Sequence, residues 1–270
     1  MTFARGHSIP QSDPPKSPRE TLPTMYDLPS EFPEEPGWPD QYHPLQCQLL
    51  RRTLDLTHTG HNEWFTGSNL NIYYDVRHPL HHVRPDWFLV EGVPRLYDGY
   101  DLRLSYVVWQ EGRWPNIVIE LLAPGRESED LGRFFKEEDR IDPDEAQLEP
   151  VGTMGKMEVY ERFLKVPQYI VYDRFSRRLR HFIRVGSRFE EQAVSSTPTS
   201  IWLPEMNIGL GLWEGKFEGA FCSWLRWCDG SGNWLPTDTE RVRLGTEQQR
   251  QRAERRAERL RQLGVDPADV

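Results

Sequence analysis

The sequence has few cysteines, no long apolar run and no excess of positive charge, and each shortage excludes a class of protein. Three cysteines form no CxxC pair, which fits a reducing compartment better than a disulfide framework. No run of about 18 apolar residues and no N-terminal signal pattern occurs, so we expect a cytoplasmic protein without a membrane span. The formal net charge of −9 argues against nucleic-acid binding by bulk electrostatics, although a metal-bridged or locally basic site remains compatible with it.

Proline content divides the chain into three parts. Ten of the 22 prolines lie in residues 1–44, too closely spaced for a helix or a central strand, which predicts a mostly disordered arm. Residues 45–236 carry most of the apolar side chains and are expected to form one domain. Residues 237–270 are expected to hold a linker and a charged helix, predicted over residues 247–263. That helix either protrudes from the domain or pairs as a coiled coil, which would make the protein a homodimer.

Within the central part, apolar periodicity predicts an alternation of strands and helices. Helices are predicted over residues 45–56 and 156–164. Strands are predicted over residues 69–75, 87–90, 105–112, 116–124 and 168–173, followed by a hairpin that turns at Gly186 and by a short strand and turn within residues 203–219. We expect the strand of residues 105–112 to pair antiparallel with that of residues 116–124. The acid-rich stretch 125–155 is expected to hold a short helix near Glu129 and an exposed, mobile flap.

Two acids occupy places where carboxylates are uncommon. Glu120 lies in the middle of the apolar run NIVIELLAP, and an ionised acid buried there needs a cation, a hydrogen-bond donor or a metal. Asp86 directly precedes the apolar run Trp87 to Val90, at the expected start of a strand. Each has an ordinary alternative, a structurally satisfied buried acid for Glu120 and a turn-forming residue for Asp86. Together they indicate a site.

Two other clusters allow both a structural and a functional interpretation. The predicted hairpin carries Arg178, Arg180 and Arg184 on one face, which is either a solvated sheet face or a surface for a phosphate backbone. The segment HPLHH, residues 78–82, suggests a metal. Adjacent histidines point to different sides, and we see no cysteine or acid at zinc-like spacing, so we predict a solvated turn without zinc.

Asp86, Glu120 and Lys156 follow one another along the chain on two strands and the next helix. Two carboxylates that converge from adjacent strands form a hard, oxygen-rich site suited to Mg²⁺ or Mn²⁺. A lysine beside them can hold a scissile phosphate or offset growing negative charge. This is the chemistry of phosphodiester hydrolysis.

Three segments in order, RPDWFLV, PNIVIELLAP and KMEVYERFLKVPQYIVYD, resemble a large bacterial family of restriction-endonuclease-like proteins. The resemblance spans about residues 46–185. It implies the PD-(D/E)xK nuclease fold, an α/β (α+β) architecture with a mixed sheet flanked by helices, to which a protruding C-terminal helix is a recurrent addition. It also implies that Asp86 and Glu120 are the two motif acids and that the peptide carbonyl of Leu121 is a further metal ligand.

The sequence departs from the usual pattern of that family at the lysine. Leu122 replaces the lysine expected two positions after Glu120, and the resemblance implies that the following helix supplies it instead. Lys156 is then the candidate, with Tyr160 one turn along as its support, and Lys136 is the competitor. A metal-associated glutamate found on the first helix of some relatives has no counterpart between residues 45 and 56.

The leading hypothesis is therefore a Mg²⁺- or Mn²⁺-dependent endonuclease that hydrolyses DNA through Asp86, Glu120 and Lys156. The alternative is a protein that keeps the nuclease fold without hydrolysis and acts as a nucleic-acid-binding module or a scaffold. The displaced lysine and the net charge of −9 favour this alternative. A glycosidase that uses the two carboxylates is a third reading, in which the lysine and the basic hairpin have no role.

Overall fold

A computed structural model describes residues 17–24, 27–28, 40–56, 60, 62–141, 154–196 and 199–262. Their helices are α1 (Pro18–Thr21), α2 (Tyr42–Thr53), α3 (Val108–Glu111), α4 (Glu127–Leu131), α5 (Lys156–Arg162) and α6 (Asp238–Gln262). Short 3₁₀ turns follow α4 at Gly132–Phe134 and Glu137–Asp139, and another spans Pro204–Met206. Within the described residues, every helix is too short or too polar to cross a bilayer.

The strands form three sheets. The main sheet has six strands in the order β1, β4, β6, β7, β8, β9, and its one parallel pair is β6 with β7. An antiparallel sheet of four strands runs β10, β11, β12, β13, and a small sheet runs β3, β2, β5. The strands are β1 (Trp64–Ser68), β2 (Ile72–Tyr73), β3 (His82–Val83), β4 (Trp87–Glu91), β5 (Tyr106–Val107), β6 (Ile117–Leu121), β7 (Gln168–Asp173), β8 (Arg178–Val185), β9 (Arg188–Gln192), β10 (Ser195–Ser196), β11 (Thr199–Leu203), β12 (Ile208–Phe217) and β13 (Ala220–Cys228).

Each face of the main sheet packs into its own apolar cluster. One face meets α2 and the four-stranded sheet, whose Trp224, Leu225 and Trp227 are almost fully buried. The other face meets α5 and the small sheet through side chains such as Val159 and Tyr160. Side chains alternate between the faces along a strand, so one strand contributes side chains to both clusters. The structure is the expected mixed sheet flanked by helices, and the predicted fold class is confirmed.

Several predicted elements differ in detail from the observed ones. Helix α2 begins at Tyr42 and so includes Pro44. Proline is tolerated there because the amide groups in the first turn of a helix make no hydrogen bond within the helix. The strand predicted over residues 105–112 is wrong beyond Val107. There the chain turns into α3, which ends at Gly112 in the left-handed region.

The pairing predicted for residues 105–112 is also wrong. Strand β5 pairs with β2 in the small sheet, whereas β6 lies between β4 and β7 in the main sheet. Contacts distant in sequence hold α3, since Trp109 Nε1 donates to the Pro23 carbonyl and Gln110 Nε2 donates to the Leu22 carbonyl. Such contacts leave no periodic pattern in the local sequence.

The described part of the acidic stretch is not the flap that we expected. Its short helix is present as α4, but Glu127, Glu129, Asp130 and Asp139 are all buried. Asp139 pairs with two arginines of β8, at 2.6 Å and 3.3 Å, which draws the segment against the sheet. The prediction for residues 142–153 falls outside the described residues.

The predicted arm and the predicted C-terminal helix are partly within the described residues. Most of residues 1–44 lie outside them, so the predicted disorder stays untested there, but α1 is helical and Leu28 is buried. Helix α6 begins at Asp238, nine residues before the predicted start at residue 247. Thr237 and Glu240 form reciprocal side-chain-to-backbone bonds at 3.2 Å and 2.7 Å, a capping box that fixes this start.

Candidate active site

Glu120 is fully buried on the face of the main sheet that α5 covers. Its neighbours Ile119 and Leu121 belong to the cluster on the opposite face, while Val118 and Leu122 belong to the α5 side. Strand alternation therefore points the Glu120 side chain towards α5. A carboxylate at this depth must be satisfied by side chains of other elements.

Asp86 lies next to Glu120 because of the strand register. Strands β4 and β6 are antiparallel with Trp87 opposite Ile119, so one step further the register sets Asp86 opposite Glu120. The Asp86 amide donates to Glu120 Oε2 at 3.2 Å. In return, the Leu121 amide donates to Asp86 Oδ2 at 2.8 Å. The two acids thus lie on the same side of the sheet, linked by the bond from the Asp86 amide to Glu120 and by the bond from the amide after Glu120 to Asp86.

Helix α5 brings an amine and a phenol to Glu120. Lys156 Nζ lies 3.2 Å from Glu120 Oε2, and its side chain is 17% exposed. Tyr160, one turn along α5, donates a short hydrogen bond to Glu120 Oε1. The structure brings together Asp86, Glu120, Lys156 and Tyr160, the residues selected from the sequence.

Asp130 is a site residue that our sequence analysis missed. Its Oδ1 lies 3.3 Å from Lys156 Nζ, so the lysine is shared between Asp130 and Glu120. Asp130 falls in the short helix predicted near Glu129, and the sequence analysis assigns it no role in the site. Its only signal in the sequence is the cluster of acids 127–130 ahead of the helix that carries Lys156.

His43 is a second site residue that our sequence analysis missed. It is buried on the first turn of α2, and its Nε2 lies 3.1 Å from the Leu121 carbonyl oxygen. Asp40 Oδ1 holds the other ring nitrogen at 2.8 Å, and Arg174 pairs with Asp40 Oδ2 at 2.7 Å. Helix α2 therefore brings a histidine to the carbonyl that the resemblance implies as a metal ligand.

Comparison with known proteins identifies the family. The family model described as "Uma2: Putative restriction endonuclease" matches residues 25–213, well over half of the chain. The chain belongs to the Uma2 family. No curated protein matches the sequence. The match confirms the resemblance to restriction-endonuclease-like proteins, which points to a nuclease.

Burial and charge set the protonation of the site in this Uma2 protein. Burial raises the pKa of Glu120 well above its usual value, with Lys156 opposing this and Asp130 and Asp86 adding to it. Burial likewise raises the pKa of Asp130 to about 7. For Lys156, burial lowers the pKa, but the surrounding carboxylates outweigh it and keep the ammonium charged.

The residues present fit a hard divalent cation, the kind of metal that restriction-endonuclease-like families generally use. Asp86, Glu120 and the Leu121 carbonyl offer only oxygen atoms, as Mg²⁺ and Mn²⁺ prefer. Asp130 Oδ1 is buried and, among the described residues, accepts no well-aligned hydrogen bond despite its closeness to Lys156. When all three acids are ionised, one ammonium faces three carboxylates, and a divalent cation would offset the surplus of negative charge.

The competing lysine and the basic hairpin lie elsewhere. Lys136 is 67% exposed and its ammonium lies 3.4 Å from Glu138. Arg180 is buried, and its guanidinium bonds Glu191 and Asp139. Arg178 is about half exposed beside Asp139, whereas the half-buried Arg184 donates to the Glu161 carbonyl. The buried position of Arg180 is that of a structural residue.

Proposed function

We propose that the protein is an endonuclease that hydrolyses phosphodiester bonds of DNA with Mg²⁺ or Mn²⁺ held by Asp86, Glu120 and the Leu121 carbonyl. The observation that carries this proposal is the convergence on Glu120 Oε2 of the Asp86 amide and the Lys156 ammonium, each at 3.2 Å. Two carboxylates of neighbouring strands with a lysine between them and solvent form a site suited to phosphodiester hydrolysis. Family membership supports the same reaction class.

Each residue of the site has a separate task in this proposal. A bound divalent cation would polarise the scissile phosphate and acidify a water molecule. Lys156 donates to a phosphate oxygen and offsets the charge that grows on it. Tyr160 fixes the orientation of Glu120, and His43 orients the Leu121 carbonyl from the other face of the sheet.

A cavity beside α2 supports a nucleic-acid substrate. It has a volume of about 550 Å³, and its lining includes Tyr42, which precedes His43 on α2. Phe175 and Phe221, which are 54% and 73% exposed, line it together with Arg174 and Arg177. Aromatic rings and guanidinium planes are the groups on which unstacked bases rest. On the hairpin, Arg178 and Arg184 remain the proposed phosphate contacts, with Arg180 supporting them from inside the sheet.

Nicking of supercoiled plasmid in Mg²⁺ or Mn²⁺ tests the proposal. We expect Asp86→Asn and Glu120→Gln to lose at least about 100-fold in rate, because each removes a charged metal ligand. Lys136→Ala is the matched control, since this exposed lysine lies outside the site and should nick like the wild type. Circular dichroism shows whether each variant is folded.

Equal nicking by all four proteins would point to a contaminating nuclease and overturn the proposal. Calorimetric titration with Mn²⁺ separates the alternative function. Mn²⁺ binding that is present in the wild type and lost in Asp86→Asn supports a metal site. Mn²⁺ binding that is unchanged in Asp86→Asn, or absent from the wild type, favours a nuclease fold that serves only as a nucleic-acid-binding module or a scaffold.

A further inference from the structure

A second group of metal-ligating side chains lies outside the proposed active site, in the turn between β2 and β3. Asp75, His78 and His81 each bring one ligand atom to within 4.8 Å of the other two. Two backbone bonds, from His78 to the Asp75 carbonyl at 3.0 Å and from His81 to the His78 carbonyl at 2.8 Å, bring residues spaced by three to one side of the turn.

The three side chains are already partly oriented. Asp75 is 10% exposed, and its Oδ1 accepts the Arg77 amide at 3.0 Å, which leaves Oδ2 directed at His78 Nδ1 at 2.7 Å. The rings of His78 and His81 stack with centroids 4.7 Å apart. A nearly buried carboxylate that holds one imidazole, with a second imidazole beside it, needs only small side-chain rotations to enclose an ion.

The donor set differs from that of the active site. Two imidazoles and one carboxylate suit Zn²⁺ and its neighbours in the first transition series, whereas Mg²⁺ and Mn²⁺ favour oxygen. Three protein ligands leave a position for water, the coordination that Zn²⁺ commonly accepts when not fully enclosed. Arg77 Nε lies 3.7 Å from Asp75 and is the cation that a metal would displace, but the Arg77 side chain is 84% exposed and can move away.

We propose that Asp75, His78 and His81 form a Zn²⁺-class metal site, separate from the oxygen site at Glu120. The sequence analysis predicts a solvated turn without zinc, and this proposal departs from that prediction. That prediction treated the histidines alone and overlooked Asp75, three residues before His78. Its other argument holds, since the ring of His82 turns to the Leu80 carbonyl at 2.9 Å and takes no part.

The site has a structural connection to α5. Tyr74, next to Asp75, packs its ring against Phe163 at the end of that helix, with centroids 5.1 Å apart. The His81 ring lies 6.4 Å from the same tyrosine. A metal bound by the three residues would therefore lie beside the contact between this turn and the end of α5.

Zn²⁺ titration of the full-length, metal-stripped protein against a chromogenic zinc chelator tests the proposal. To exclude binding at the oxygen site, each protein carries Glu120→Gln. We expect one Zn²⁺ per chain, with affinity weakened at least tenfold by His78→Ala and by His81→Ala. His82→Ala is the matched control and should bind like the parent.

A second measurement guards against misfolded variants. Zn²⁺ should raise the melting temperature of the parent and of His82→Ala but not that of His78→Ala or His81→Ala, because only binding to the folded state stabilises it. Equal affinity in the parent and His78→Ala, or an equal loss in His82→Ala, would overturn the proposal. Since His78 lies outside the nuclease site, Mn²⁺-dependent nicking by His78→Ala in the otherwise wild-type chain should be unchanged. The two proposals therefore stand or fall separately.

Discussion

The ammonium of Lys156 lies between two buried carboxylates, at 3.2 Å from Glu120 and 3.3 Å from Asp130. Charged groups removed from water lose hydration energy, which close opposite charges recover only in part. A structural protein would more simply fill this space with apolar side chains. The concentration of shifted pKa values at Glu120, Asp130 and Lys156 supports the proposal that these residues form a functional site.

Replacing Lys156 should separate catalysis from metal binding. Lys156→Met keeps the length of the side chain but removes its charge, so we expect the nicking rate to fall by about 100- to 1000-fold, the effect of losing one charge-stabilising donor. Mn²⁺ affinity should be equal or tighter, because the cation competing for Glu120 and Asp130 is gone. Nicking kinetics and calorimetry measure the two quantities.

Lys136→Met is the control for both measurements, because its exposed ammonium lies 3.4 Å from the exposed Glu138. An unchanged rate in Lys156→Met would remove the lysine from the proposed mechanism. A large loss of nicking rate in Lys136→Met would instead indicate that Lys136 is the site lysine.

Among the secondary-structure elements, the pairing of β1 with β4 includes a close approach that requires a glycine. Gly67 lies opposite Phe88, and a Cβ at Gly67 would come within 2.3 Å of the Phe88 ring. Phe88 is fully buried and cannot move aside without disturbing the core on the α5 side. The same strand β4 begins directly after Asp86, so this close approach helps to hold the site's register.

Gly67→Ala should lower the free energy of unfolding by about 1–3 kcal/mol through overpacking. Gly245→Ala is the matched control, since Gly245 has no atom near its would-be Cβ and lies within α6, where alanine is the better helix former. Urea denaturation measures both. A stability loss in Gly245→Ala as large as that in Gly67→Ala would contradict the steric explanation.

Strands β7 and β8 carry a pH-dependent contribution to stability. Burial lowers the pKa of His181 to about 4, and its Nε2 bonds Gln168 Oε1 at 2.7 Å. The pKa of the folded state is below that of the unfolded state. Above about pH 6.5 the ring is neutral in both states, so this difference does not lower the free energy of unfolding there. As the pH falls below 6.5, the histidine becomes protonated in the unfolded chain but stays neutral in the folded protein, so stability declines until about pH 4.

Between pH 7.5 and pH 5 this histidine should remove about 2 kcal/mol of stability. His181→Gln retains a donor for Gln168 without titrating, so the variant should lose correspondingly less over the same range. Urea denaturation at both pH values gives the comparison. Parallel losses in the two proteins would show that carboxylates alone cause the decline.

In the molecule as a whole, α6 is anchored at its start and extends outwards. Arg226 is buried on β13, bonds Glu240 and lies over the Trp213 ring at 4.4 Å. Beyond this anchor, Val242 and Leu244 are 69% and 55% exposed. The homodimer predicted from the sequence remains a prediction about this extended part.

A chain that ends at Gly245 retains the anchor, so its melting temperature should stay within about 2 °C of the full chain's. Glu240→Ala should instead cost about 1–2 kcal/mol, because it leaves the buried Arg226 without its carboxylate while Glu240 itself is partly solvated. Thermal denaturation measures both effects. A large drop for the shortened chain would show that the distal helix packs on the domain.

Light scattering on the same two chains tests the homodimer. A full chain of twice the monomer mass and a shortened chain of monomer mass would support pairing through α6, whereas equal monomer masses would contradict it.

The sequence by itself predicted strands β4, β6 and β7, the hairpin of β8 and β9, helix α5, and four of the residues that the structure brings together around Glu120. Their patterns are local: an acid inside an apolar run, a proline before a strand and a lysine one turn ahead of a tyrosine are visible without knowledge of the fold. The start of α6 was also within reach, since Thr237 and Glu240 have the spacing of a capping box.

Only the tertiary structure decided which distant groups meet. Asp130 and His43 join the site because α4 and α2 pack on opposite faces of the main sheet, and β5 joins the small sheet because its partner β2 lies more than thirty residues earlier. Periodicity reports which side of an element is buried but not what buries it. The burial of Arg180 and of the acids near α4 depends on which groups pack against them, because a charged side chain is buried only where an oppositely charged partner lies close to it.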